Sequence, residues 1–342
     1  MNTFPLKVLR DLAAFAVLCL VSHAVTAQTP TAQIVGAVNT FLSTLDDAQR
    51  KKVLFAFDDQ QQRQRWSNLP ISSVSRAGLS MGELSQPQRS AAFAVVSAAL
   101  SRRGFEKVQQ IMEADELLKK DAAKPIFGKD LYFISILGTP SEKTPWMLQF
   151  GGHHLALNIT IAGDRGVLTP SLVGAQPALY KVNDKTIRPL GQESDRALAL
   201  LNALDDAQRK QAILSYRVAD LVLGPGQDGK TIQPEGLKAS AMNESQRTML
   251  IDLIAEWAGI VHDSAAGPRM AEIKSGLNDT WFAWSGATTA DPGRNITAYY
   301  RIQGPNLVIE YAPQPLGGDP SLHLHTMYRD PTNDYGRTVT GK

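Results

Sequence analysis

The chain has 342 residues, 35 Lys and Arg against 33 Asp and Glu, a formal charge of +2 and 43% hydrophobic residues. A near-neutral chain without a Lys/Arg-rich tract argues against nucleic acid or an anionic membrane as its main partner. Its one cysteine, Cys19, excludes an internal disulfide and a multi-thiolate metal site.

At the N-terminus, Lys7 and Arg10 precede a mostly apolar run from Leu12 to Val25, and Val25-Thr26-Ala27 supplies small residues before Gln28. The run is short for a bilayer span and ends in a cleavage-like pattern, so residues 1–27 read as a secretory signal rather than a retained anchor. Cleavage there would remove Cys19. The expected product is a periplasmic or secreted chain with no cysteine chemistry and no stable membrane insertion.

Ile34, Val35, Val38, Phe41, Leu42 and Leu45 have helical spacing, and a second helix is expected from Asp46 to about Phe57, capped by Asp46 or Asp47. The segment Leu42-Ser43-Thr44-Leu45-Asp46-Asp47-Ala48-Gln49-Arg50-Lys51 returns almost verbatim as Leu201-Asn202-Ala203-Leu204-Asp205-Asp206-Ala207-Gln208-Arg209-Lys210. The correspondence continues: Gly78-Leu79 matches Gly236-Leu237, and helices carrying Gln88-Arg89 and Gln246-Arg247 follow. Further helices are expected near Phe105–Leu118 and Gly267–Leu277. Strand-like Leu131–Gly138 then matches Thr280–Gly286, and Phe150–Asn158 matches Ile302–Glu310. The fold expected is α+β, made of two tandem pseudo-symmetric repeats over residues 28–190 and 191–342. Each repeat runs helices first and antiparallel strands after, and the two join into one unit.

Differences between the copies point to a site. Outside the leader there are five histidines, and four lie in the strand-rich parts: His153, His154, His323 and His325. His153 and His154 align with Pro305 and Asn306, Asn158 aligns with Glu310, and the His323/His325 pair has no counterpart in the first copy. On a strand, His323 and His325 share a face, a common way of offering two nitrogens to a metal. Glu310 would add an oxygen and one of His153 and His154 a third nitrogen, since neighbours on a strand face opposite ways. Such a set suits zinc, copper, iron or manganese. Two other readings stay open: a hydrogen-bond network pinning the copies together, and a metal-free ligand pocket. His262 reads as a residue at a helix C-terminus, Gly224–Gly229 as a turn, and Trp146 as a pocket wall. No Gly-x-Ser-x-Gly elbow, His-Glu-x-x-His helix or phosphate loop is present.

The stretch Trp146–Asn158, the run from Tyr300 to Tyr311, and His323–Asp330 followed by Asn333-Asp334-Tyr335-Gly336 together resemble an exported, mainly bacterial family catalogued as domain of unknown function 3500. Phe55–Asp58, Arg63, Trp66 and Gly104-Phe105 fit the same pattern. The resemblance covers the chain beyond the leader and brings no activity, cofactor or catalytic residue with it. It implies a longer tail with another histidine-bearing segment after Arg337, without which the site here would be altered or open. The functional expectation is an exported protein that binds a divalent metal between the repeats, as a metal-dependent hydrolase or oxidoreductase acting on a small molecule. Arg301, Arg329 and Asp330 are the catalytic candidates, with arginine orienting an anionic or carbonyl group. The alternatives are a non-catalytic periplasmic ligand- or metal-binding protein and a structural protein.

Overall fold

A computed structural model describes residues 28–119 and 126–340. The expected secretory signal, with Cys19, lies outside the described residues. No helix among the described residues is long and apolar enough to cross a membrane.

The chain is α+β. Four longer helices lead, with a single turn at Gln60–Arg63 between the second and third: α1 (Pro30–Ser43), α2 (Asp47–Val53), α3 (Gln86–Ala99) and α4 (Arg102–Lys119). Four longer strands follow: β1 (Phe133–Leu137), β2 (Trp146–Gly152), β3 (Leu155–Ala162) and β4 (Ser171–Ala175). The order then recurs with α5 (Gly191–Ala203), α6 (Asp206–Ala212), α7 (Glu244–Ala258) and α8 (Asp263–Ser275). The last strands are β5 (Trp281–Ser285), β6 (Tyr299–Gly304), β7 (Leu307–Pro313) and β8 (Leu324–Arg329).

The near-verbatim segments do the same local work. Asp46 and Asp205 each cap the following helix in a capping box with Gln49 or Gln208, satisfying amides that the first turn leaves free. Gln49 and Gln88 exchange amide hydrogen bonds at 2.8 and 3.3 Å, and Gln208 and Gln246 do so at 2.8 and 3.1 Å. Helix α2 is shorter than expected. Leu54 turns extended and, with Phe55, pairs in parallel with Ile136 and Leu137 of β1, so an edge strand replaces the last helical turn.

The strands run in the order β1-β2-β3-β4-β8-β7-β6-β5, with shorter strands flanking them. The seam is the antiparallel pairing of β4 with β8, where His325 stands opposite Gly174. Alternation along β8 sends Leu324 and Tyr328 into the main apolar core and Thr326 toward α7, where it accepts the Trp257 indole N–H at 3.0 Å. His325, Met327 and Arg329 point the other way. That second face is unusually polar: Gln149, Asn158, Arg301, Gln303, Glu310, His325 and Arg329 are all buried there. Buried polar groups require partners, and the loops over residues 56–78 and 214–235 supply them. Trp146 is fully buried and donates to the Ser141 carbonyl, so it belongs to the core and not to a pocket wall. His262 begins α8 as its N-cap, its Nδ1 accepting from the Ser264 amide, because the chain leaves α7 at Gly259 before reaching it.

Candidate metal centre

Strands β2 and β3 are joined by the two-residue turn His153-His154. Close approach of the strands needs Gly151, where a Cβ would stand 2.3 Å from the Leu155 carbonyl oxygen. His154 has φ of +62°, and its ring packs against that of His153 with centroids 3.7 Å apart and planes tilted by 32°. The two rings therefore lie side by side. Opposite facing would hold on a strand, and the left-handed turn removes that alternation.

His323 follows the short helical turn Pro320–Leu322 with extended dihedrals, so it alternates in phase with His325 although β8 itself begins at Leu324. Both imidazoles share the polar face. Gly174 makes the space into which His154 reaches: a Cβ there would meet the Leu324 oxygen at 2.6 Å and His154 Cδ2 at 3.3 Å. The His154 carbonyl accepts the Gly174 amide at 2.7 Å, which ties the turn to the seam.

The three Nε2 atoms converge. They are separated by 3.0 Å (His154 to His323), 3.2 Å (His323 to His325) and 3.2 Å (His325 to His154). The residues are 2, 6 and 6% exposed for His154, His323 and His325. His323 Nδ1 lies 2.8 Å from the Leu316 carbonyl oxygen. A carbonyl only accepts, so Nδ1 carries the proton and Nε2 presents a lone pair. Burial pushes the His323 imidazolium down to about 4, with His325 and His153 adding to the effect against the Leu316 bond and Asp220. Burial, then the neighbouring rings, lower His154 well below the ordinary histidine range. These two rings are neutral near pH 7, the state in which imidazole binds metals. Among the described residues, these three histidines form a cluster with ligand atoms near enough to share an ion.

The other candidates are placed differently. His153 lies behind His154, its Nδ1 2.7 Å from Asp115 Oδ1 and its ring against Phe127. Glu310 is not part of the histidine triangle. Its carboxylate accepts from Tyr299 Oη at 2.7 Å, Val222 N at 2.7 Å and Leu223 N at 2.8 Å. Burial raises its pKa against those three donors and Arg301. The first half explains this role: Gln149, paired with Asn158, holds the Gln62 and Arg63 carbonyls, while Glu310, paired with Arg301, holds the Val222–Leu223 loop. Arg301 bonds Glu235 at 2.9 Å. Arg329 is consumed by the Leu223 and Gly224 carbonyls, Asp228 and Asp334. Asp330 pairs with Arg269 at 3.0 Å.

Three supporting residues were not singled out in the sequence. Asp115 lies on the buried face of α4 among Val108, Ile111 and Met112, and a carboxylate in an apolar stripe was a readable signal. Asp220 stands 3.6 Å from His325 Nδ1 and accepts the Gln314 amide at 2.8 Å. Asn68 lies against His325 from the covering loop. Neither Asp220 nor Asn68 sits in a recognisable pattern. Beside His323 is a cleft of about 210 Å³, walled by Leu117, Leu118, Pro177, Leu316 and Leu322.

The chain belongs to the family described as Protein of unknown function (DUF3500), whose profile matches residues 27–337. No curated protein and no solved structure matches it.

Proposed function

We propose that this exported chain holds one divalent transition-metal ion between His154, His323 and His325 and uses it on a small molecule admitted beside His323. The mutual 3.0–3.2 Å spacing of the Nε2 atoms carries this reading. Two ligands on a tetrahedral ion, each at ~2.0–2.1 Å, stand about 3.3 Å apart. His154, His323 and His325 would hold such an ion through their Nε2 atoms. Zinc, copper(II), iron(II) and manganese(II) all accept such a nitrogen set.

Proton placement argues against a purely structural network. With the His323 proton on Nδ1, one Nε2–H leaves two lone pairs facing each other along an edge of the triangle, and two Nε2–H groups face each other instead. One edge is repulsive in either arrangement. A cation satisfies all three edges at once.

Hydrolysis is the chemistry best supported. Three imidazole ligands would bring no negative charge of their own, and Glu310 is engaged elsewhere. An electrophilic ion with an open position acidifies a bound water toward neutral pH. The cleft beside His323, apolar except for Gln176, Asp319 and the histidine itself, suits a small molecule with one polar group. The test loads the metal-free protein with zinc, copper, iron or manganese in turn and assays small carboxylic and phosphate esters. Turnover should follow occupancy for one metal and stop on chelation. Equal turnover in the chelated protein, or none with any metal, would contradict the catalytic reading and leave metal binding standing. The near-complete burial of the histidines favours a second reading, a metal carrier, which the same assay separates.

We also infer that the chain is two fused copies, with a boundary near residue 190. The matched capping boxes, the recurring glutamine pairs and the repeated helix-then-strand order support this. Export rests on the leader pattern alone.

A further inference from the structure

At the seam between the halves, β4 and β8 pair with Gly174 opposite His325 and Ala175 opposite Leu324. One step further along the same antiparallel register, Gln176 stands opposite His323. The two segments stay together beyond that step, since the Ala178 amide donates to the Leu322 carbonyl at 2.7 Å. Directly opposed residues of such a pair project to one face, with Cβ atoms about 4.5–5.5 Å apart. Gln176 therefore shares the face of His323 and His325, and it lines the cleft of about 210 Å³ beside His323.

The other polar side chains of that cleft are committed. His323 gives its Nδ1 proton to the Leu316 carbonyl and turns Nε2 toward the two other histidines. Asp319 accepts the Ser321 amide on Oδ1 and Arg294 on Oδ2, both at 2.9 Å. Among the described residues nothing bonds the Gln176 carboxamide, and its polar atoms are not sealed from solvent. The side chain is half-buried and held against the loop after β7, where a Cβ on Gly317 would stand 2.8 Å from Nε2. A free donor and a free acceptor thus face an otherwise apolar cleft, one strand away from the histidine triangle.

We propose that Gln176 is the specificity residue of this site and grips the substrate by an amide edge. Its carboxamide presents a donor and an acceptor side by side in one plane. The matching partner carries N–H and C=O side by side in the reverse order, as a primary carboxamide or a lactam does. Exchanging the glutamine oxygen and nitrogen by a half-turn leaves the same pair on offer. An open-chain secondary amide is trans and points its two groups opposite ways, so it fills only one of the positions. A ketone or ester also uses one, and a carboxylate sets its negative oxygen against the glutamine oxygen.

This inference takes the metal centre as the reacting group and so rests on that reading, and the experiment keeps the two apart. ε-Caprolactam, cycloheptanone and N-methylcaprolactam are titrated into metal-free and cobalt(II)-loaded protein and followed by ligand NMR. All three have the same ring size and a carbonyl, and only the first has an N–H beside it. Wild type should prefer the lactam by about tenfold, the upper end of what one net hydrogen bond contributes. Gln176→Leu and Gln176→Met, each checked for a wild-type melting curve, should bind the three alike, and cobalt should broaden the bound lactam's signals in wild type. Equal affinity for the three in wild type, or a lactam preference that survives in both variants, would overturn the assignment. A preference that depends on Gln176 but shows no cobalt broadening would place the lactam away from the ion and overturn its role as a substrate grip. No cobalt uptake would overturn the metal reading, while the metal-free titration still decides what Gln176 recognises.

Discussion

His154 and His325 stand 171 residues apart in the sequence, yet their Nε2 atoms approach to 3.2 Å. One sits in a turn of the first half and the other on β8, the strand of the second half that borders the first. The β4–β8 seam joins them: Gly174 bonds the His154 carbonyl and faces His325 across the pairing. Neither half holds the whole set, so a site of this kind forms only when the two halves share one sheet.

Replacing any one of His154, His323 or His325 with Gln removes a nitrogen and leaves a polar side chain of similar size. Metal affinity should fall by more than the ~10–100-fold typical of an outer-shell loss. A competition titration with a chromophoric chelator reads this directly.

Glu310→Gln should spare metal binding and weaken the fold. One carboxylate now accepts from Tyr299, Val222 and Leu223. An amide has only one acceptor oxygen, so a buried donor loses its partner at a cost of about 1–3 kcal/mol. Urea unfolding should shift while the metal-to-protein ratio stays constant. A lost metal with an unchanged midpoint would instead mean that Glu310 is a ligand.

Gly174→Ala tests the seam without replacing a ligand. The new Cβ meets the Leu324 oxygen and the His154 ring. Overpacking of this kind costs about 1–3 kcal/mol, and the displaced ring should lower metal affinity as well. Thermal melting with and without metal separates the two effects.

The metal-free protein should lose stability as the pH falls from about 6.5 toward 4. His323 is pushed down to about 4 in the fold, and His154 is lowered too, both chiefly by burial. In that window the unfolded chain binds protons that the folded chain refuses, so acid favours unfolding. Above 6.5 both states are neutral there and the effect vanishes. Melting temperature measured against pH in the presence of a chelator checks the sign. Bound metal should protect, because the ion competes for the same lone pairs.

Local chemistry made much of this legible in the sequence. The repeated Leu-Asp-Asp run placed both helix starts, with Asp46 rather than Asp47 proving to be the cap, and the in-phase spacing of His323 and His325 survived even though the first lies outside the strand proper. What stayed hidden depends on the chain's path. His153 and His154 fall in a turn with positive φ, where strand alternation has no force. Glu310 stood as a candidate oxygen ligand because it aligns with Asn158 near the histidines, but a loop with distant numbering holds both its oxygens. Asn68 and Asp220 carry no spacing signal at all, since only the sheet's second face brings their loops to His325.

The central claim is that the three histidines hold an ion, and stoichiometry tests it most directly. Protein purified without a histidine tag, stripped and then reconstituted, is analysed for bound transition metal beside the His154→Gln, His323→Gln and His325→Gln variants. The account predicts one equivalent in the wild type and a large loss in each variant that retains its fold. Less than about a tenth of an equivalent of every metal in reconstituted wild type would contradict it, because neutral convergent imidazoles bind when an ion is supplied.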